Sequence, residues 1–191
     1  RPVIDDMLAW VKSVLYVQFI DPGDCVCEIF CGTGPELKRW IKCPIGYYLG
    51  IDQSESNIRE AQSRFEKQGL RPPTFPIEYL QADPLKSCSL RGIRAPATTE
   101  GGGSHLFESV CSHNALTVAF RDEQSLMSLL DNVAQALKPG GLFYGTMPDP
   151  SGIWYRAQKS GKSPPAFKGE GYEVVFDKHN DNFNFFGTSY Q

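Results

Sequence analysis

Residues 26–40, VCEIFCGTGPELKRW, decide how the chain is read. The stretch opens as a short apolar strand, passes through an acid and glycines, and turns into a helix that carries basic residues. Glu28, Gly32 and Gly34 fall where the strand hands over to the helix, in the spacing E-x-F-C-G-T-G. Glycines at such a turn let the backbone approach a ligand closely, and the helix start behind them presents unpaired N–H groups.

Two ligand classes use this grammar, dinucleotides and S-adenosylmethionine. The dinucleotide fingerprint requires a third glycine, G-x-G-x-x-G, and neither Pro35 nor Leu37 supplies it. An acid at the strand followed by G-x-G resembles motif I of the class I S-adenosylmethionine-dependent methyltransferases. A strand-to-helix turn with no ligand is the alternative reading of the loop taken alone.

The surrounding composition suits one soluble domain. The chain has 191 residues, 41% of them apolar and 21% charged, enough for a single domain with a proper core. No run reaches the roughly 20 apolar residues of a membrane span, and no signal peptide pattern is present. Arg1 in place of a methionine predicts that a native N-terminus lies upstream. A net charge of −3 argues against broad binding along a nucleic acid backbone, which requires many Lys and Arg contacts to phosphate; a substrate held at one end, such as a cap, remains compatible. Of the six cysteines, Cys25, Cys27 and Cys31 are spaced C-x-C-x3-C, without the paired halves of a zinc site. They, with Cys43, Cys88 and Cys111, read as reduced, partly buried thiols, and no metal is expected.

In chain order, residues 3–20 have helical apolar spacing through Val3, Met7, Trp10, Val11, Val14, Leu15 and Val17, with Lys12 as the one cation. Lys12 reads either as a solvated edge or as a group reaching a ligand carboxylate. Residues 25–30 form the first strand, residues 35–42 a helix, and YYLGID at 47–52 a second strand ending in Asp52. That acid stands about 20 residues past the glycine loop, where a carboxylate can accept hydrogen bonds from ribose hydroxyls; capping the next helix is the plainer role. Residues 54–68 are a helix with Ser54 as its cap, and IEYLQAD at 77–83 is a third strand closed by Asp83, a possible acceptor for an adenine amine or a turn former before Pro84. Residues 85–104 read as mobile surface. A fourth strand begins at 106–110 and leads through 111–120 into the crevice outside the strand ends; residues 122–138 are a long helix with Leu126, Leu129, Leu130, Val133, Ala134 and Leu137 on one face. GLFYGTMP is a fifth strand, a short helical segment follows at 153–158, YEVVFD at 172–177 is a strand, and an apolar piece near 183–186 closes the chain.

Helices between strands too far apart for hairpins imply a Rossmann-like α/β fold, an open, mostly parallel, doubly wound sheet with its ligand at the carboxyl ends of the strands. We expect one domain over 1–191, made of the N-terminal helix 3–20, a core 24–148 and a partial substrate-side segment 149–191.

LKPGGLFYGTMPD, following the long helix, resembles the eukaryotic mRNA cap guanine-N7 methyltransferases, whose fifth strand carries PGG-x-F-x-GT-x-P. AWVKSVL, DQSESNIREAQSRFE, ALTVAF, GYEVVFDK and FFGTSY follow the family in the same order, nearest to its divergent plant form. The resemblance implies S-adenosylmethionine as cofactor, 5′-capped mRNA as substrate, a nuclear location and capping-machinery partners, without membrane or metal. It places Lys12 on the methionine carboxylate, Phe30, Gly32 and Gly34 in the glycine loop, Asp52 on the ribose, Asp83 on the adenine, and His113 and Val118 where the family has a glutamine and a tyrosine. On the cap side it aligns Arg39 and Arg64 with basic residues facing the phosphates, Thr33 with a lysine, and Thr117 with a histidine against the guanine. The family's last strands would lie beyond Gln191, leaving the C-terminal strands incomplete.

Several positions depart from the pattern. Leu8 and Ala9 replace paired asparagines, Thr117-Val118 replaces His-Tyr, and Phe30 replaces the first motif I glycine. The cofactor half is therefore better kept than the guanine pocket. Guanine N7 has a free lone pair and no proton to lose, so the reaction requires no general base; proximity and orientation carry it. The leading expectation is cap guanine-N7 methylation. Its rivals are a catalytically silent cofactor-binding paralogue and a methyltransferase for another RNA or small molecule.

Overall fold

The computed structural model describes residues 2–67, 73–96, 104–113, 115–169, 172–176 and 186–187. Strands β1 (Cys25–Ile29) and β2 (Tyr47–Asp52) are buried at every position, as strands covered on both faces must be. With β3 (Ile77–Gln81), β4 (Phe107–His113) and β5 (Leu137–Thr146) they form one parallel sheet in the order β3-β2-β1-β4-β5. The chain steps outward from β1 to β3 and then returns to β4 on the other side of β1. This reversal leaves a crevice at the carboxyl ends of β1 and β4, where α/β sheets hold ligands.

Alternation along the strands divides the core in two. Cys25, Cys27, Ile29, Tyr47, Leu49, Ile51 and Val110 face helix α4 (Glu123–Ala136) through Leu129, Val133 and Ala136. Val26, Tyr48 and Cys111 face the other way, onto Tyr16 of α1 (Pro2–Phe19) and Leu37 and Trp40 of α2 (Leu37–Trp40). Tyr16 and Trp40 stack there with ring centroids 3.9 Å apart. Helix α3 (Glu55–Lys67) joins β2 to β3, with Ser54 Oγ accepting from the Asn57 N–H at 3.3 Å as the expected cap.

Four expectations are corrected. The packed side of α1 is Lys12 and Tyr16, continued by Ile20 just past its end, whereas Met7, Trp10, Val14 and Val17 are exposed, because Lys12 and Tyr16 have partners inside. Helix α2 is shorter than 35–42, being flanked by turns. Helix α4 stops at Ala136 because Leu137 is already paired with Phe107, and Leu130 points outward while Asn132 points in. The segment after β3 is no simple surface loop, since Leu85, Leu90 and Ala95 are buried. Asn132 holds it: its Nδ2 donates to the carbonyls of Pro84 and Lys86, both at 2.8 Å, and to Ser89 Oγ at 3.1 Å, while its Oδ1 accepts from the Leu90 N–H at 3.4 Å. Asn132→Ala is expected to cost about 2–3 kcal/mol by leaving those groups unpaired. Urea unfolding of the two proteins measures it, and a midpoint unchanged by the substitution would refute the assignment.

After β5, helix α5 (Pro150–Lys159) packs Trp154 and Ala157 against Val174 and Phe176, and strands β6 (Ala166–Gly169) and β7 (Tyr172–Val175) pair antiparallel in a separate small sheet. The expected apolar piece at 183–186 lies, except for Phe186, outside the described residues. No described helix is long and apolar enough to cross a membrane.

Candidate cofactor and substrate site

The loop leaving β1 takes left-handed backbone at Phe30 (φ 56°), Gly32 (φ 55°) and Gly34 (φ 70°). A Cβ on Gly34 would lie 3.1 Å from Tyr79 Oη and 3.2 Å from Ala61 Cβ, whereas one on Gly32 would meet nothing within 4 Å. Gly34 is thus fixed by packing, and Gly32 presents open space in which a ligand can lie against the backbone. Phe30 holds a conformation that costs a non-glycine residue roughly 1–2 kcal/mol, and its ring is tied down by packing against the core.

Asp52, at the carboxyl end of β2, fastens this loop. Its Oδ2 accepts from the Gly32 N–H at 2.9 Å, and its Oδ1 from the Ser54 N–H at 2.9 Å and Asn57 Nδ2 at 3.0 Å. A carboxylate has about four lone-pair sites, so one, on Oδ2, remains for a ligand hydroxyl. Asp83, just past β3, is half-buried and accepts from the Leu85 N–H at 3.0 Å.

Beside the loop, Lys12 and Glu36 form a buried ion pair, and Arg39 Nη1 reaches the other oxygen of Glu36 at 2.6 Å. Two cations on one acid leave this cluster with an excess positive charge, suited to a ligand carboxylate. Below it, Glu28 is buried and accepts from Trp40 Nε1 at 2.9 Å and Tyr48 Oη at 2.8 Å. Burial pushes its carboxyl up to about 7 against the pull of those two donors. His113, at the end of β4, meets Tyr16 Oη at 3.0 Å through Nε2. Burial, with Lys12 nearby, lowers the imidazole to about 4, so it is neutral near pH 7; burial also raises the Tyr16 phenol far above its ordinary value. The phenol therefore donates to Nε2, and the ring proton sits on Nδ1, a buried donor with no partner among the described residues. His113 thus keeps one buried N–H and has no free lone pair to act as a base.

The structure thus brings Lys12, Gly32, Gly34, Asp52, Asp83 and His113 to the carboxyl ends of the strands, with Phe30 and Thr33 in the same loop and Arg39 on α2. Thr117 and Val118 lie in a short 3-10 helix, Leu116–Arg121, following β4, and both side chains are exposed. Arg64 sits on α3 and is paired with Glu60 one turn earlier. Glu36, Tyr16 and Trp40 were not singled out from the sequence. Glu36 carried a signal, an acid one position before a basic helix; the two aromatics read only as core. An open hollow of about 430 Å³ between α3 and β3, lined by Gln62, Phe65 and Tyr79 among others, involves none of the candidate residues.

Two solved structures share this architecture. The S-adenosylmethionine-dependent methyltransferase from Methanosarcina mazei aligns with TM-score 0.54 and 20% identity over 69% of this chain and 55% of its own. The one from Clostridium acetobutylicum aligns with TM-score 0.54 and 20% identity over 88% and 57%. At such identity the likeness establishes the fold. In sequence, the mRNA cap guanine-N(7) methyltransferase 2 of Arabidopsis thaliana is 34% identical over 95% of this chain and 52% of its own length. The rice protein of the same name, from Oryza sativa subsp. japonica, is 31% identical over 95% and 53%. The chain therefore spans about half the length of these curated relatives. The profile of the mRNA (guanine-N(7))-methyltransferase domain matches residues 4–191, and the chain belongs to that family.

Proposed function

We propose that the protein binds S-adenosylmethionine and transfers its methyl group to N7 of the guanine cap of mRNA. What supports this reading is that Asp52, the opened Gly32 backbone, the Lys12–Glu36–Arg39 cluster and His113 gather at the carboxyl ends of β1, β2 and β4 in a chain from this family. Lys12 receives the methionine carboxylate, Asp52 the ribose, Asp83 the adenine, and His113 stands on the cofactor side. The bound cofactor supplies an activated methyl on sulfur. The protein's part is to hold the two reactants in line and keep the crevice dry, and orientation of this kind contributes about 7–11 kcal/mol in favourable cases. Glu28 stays below the site as an acceptor for Trp40 and Tyr48, so no residue is required to take a proton.

Thr33, Arg39, Arg64 and Thr117 are assigned to the cap, Val118 to the cofactor's edge, and the α5–β6–β7 unit to the substrate side of one domain. Such an enzyme works in the nucleus, with capping proteins as its neighbours. Labelled cofactor and unmethylated capped RNA, incubated with the full-length protein, test the assignment; absence of methyl at N7 would reject the substrate.

A cofactor-binding but catalytically silent paralogue is the second reading, favoured by exposed Thr117 and Val118 where an imidazole and a phenol are expected. Restoring them separates the two. Thr117→His with Val118→Tyr is expected to tighten binding of a capped dinucleotide about tenfold, within the range that one stacked base contributes. Unchanged affinity would show that the guanine does not lie there.

A further inference from the structure

At the opposite end of the sheet, Cys25 Sγ, His105 Nε2 and a Glu108 carboxylate oxygen lie within 4.8 Å of one another. We propose that this group is a zinc site that fastens the segment after β3 to the amino ends of β1 and β4. Thiolate, imidazole and carboxylate together suit Zn²⁺, which takes four tetrahedral ligands and accepts all three donor types. A solvent molecule would complete the set.

The donors are already aimed. His105 Nδ1 lies 2.9 Å from the carbonyl of Leu106, an acceptor only, so the ring proton sits there and the Nε2 lone pair faces the thiol. Such a hydrogen bond behind a histidine is the usual device for orienting a metal ligand. The backbone of His105 is fixed by two hydrogen bonds with Ala95, at 2.8 and 3.0 Å. Glu108 is held by the Cys25 N–H at 2.7 Å and by Lys138 Nζ at 3.1 Å. Sγ and Nε2 are 3.9 Å apart, and tetrahedral bonds of about 2.3 and 2.0 Å to zinc would bring them to about 3.5 Å. For this pair only a small closure is required. Coordination replaces the thiol proton, which leaves to solvent. In sequence the three residues are unremarkable, because 80 and 83 positions separate Cys25 from its two partners.

Cobalt reports on the site independently of methyl transfer. The tag-free protein, stripped with chelator and titrated with Co²⁺ alone, is expected to show a thiolate-to-cobalt charge-transfer band that saturates at one equivalent and is abolished by Zn²⁺. Zn²⁺ at about a hundredfold excess over its Kd should raise Tm by about 5–10 °C. His105→Ala should weaken Co²⁺ binding at least tenfold. If that variant does not fold, Glu108→Gln, which keeps an acceptor for the Cys25 N–H, should do the same. A wild-type protein with no charge-transfer band, or a band of equal affinity in the folded variant, would overturn the proposal.

Discussion

Asp52→Ala is expected to lower affinity for S-adenosylhomocysteine on the order of a hundredfold, since a hydrogen bond to a charged group is worth about 1.5–3 kcal/mol and the loop that shapes the site goes with it. The geometry gives two reasons. The remaining lone pair on Oδ2 is the one that the proposed ribose contact uses, and the other acceptor positions hold Gly32, Ser54 and Asn57 in place. Asp52→Asn is expected to fail almost as badly. Whichever way the amide is turned, its NH₂ must face the backbone N–H of Gly32 or that of Ser54, donor against donor. Calorimetric titration of the two variants checks both statements, and an asparagine variant that binds like wild type would show that the carboxylate does not organise the loop.

Glu28→Ala is expected to cost about 4 kcal/mol of stability, by stranding two buried donors, Trp40 Nε1–H and Tyr48 O–H. Glu28→Gln keeps an acceptor of the same shape and should lose much less. The pair also makes a pH prediction. Burial raises the Glu28 carboxyl from 4.5 to about 7, so in that interval the folded protein holds a proton that the unfolded chain has released. The associated stability is complete below the unfolded value and is lost as pH rises through the folded one, to the extent of about 3 kcal/mol. His113 runs the other way: lowered from 6.5 to about 4, it destabilises the fold as pH falls through that range. The two slopes oppose each other in wild type, and only a difference against Glu28→Gln isolates the carboxyl. Wild type should lose about 3 kcal/mol relative to Glu28→Gln between about pH 4.5 and pH 7.5; parallel curves would show that Glu28 is ionised throughout.

Local signals made most of the sheet legible. β1 and β2 are mostly apolar and buried at every position because both faces are covered, the glycine loop is a backbone requirement written as residue types, and Asp52 closes a strand at a fixed distance beyond it. What was hidden depends on partners distant in sequence. Lys12 and Tyr16 form the inner side of α1 because Glu36 and His113, 24 and 97 positions away, receive them. The apolar Met7, Trp10, Val14 and Val17 therefore stay outside, although spacing alone favours them. Asn132 hid the burial of the 85–95 segment in the same manner, its amide replacing the regular strand or helix that a packed segment usually needs. The left-handed Phe30 was visible only through its alignment with a family glycine, since no rule of composition places a phenylalanine at φ 56°.

The proposed function requires one adenosine to bind at the carboxyl ends of β1, β2, β3 and β4, and isothermal calorimetry of the wild-type protein with S-adenosylhomocysteine tests it most directly. Saturable binding of one molecule per chain is expected, with a Tm that rises with ligand concentration. No binding heat, together with a Tm indifferent to ligand in a protein that unfolds cooperatively, would contradict it.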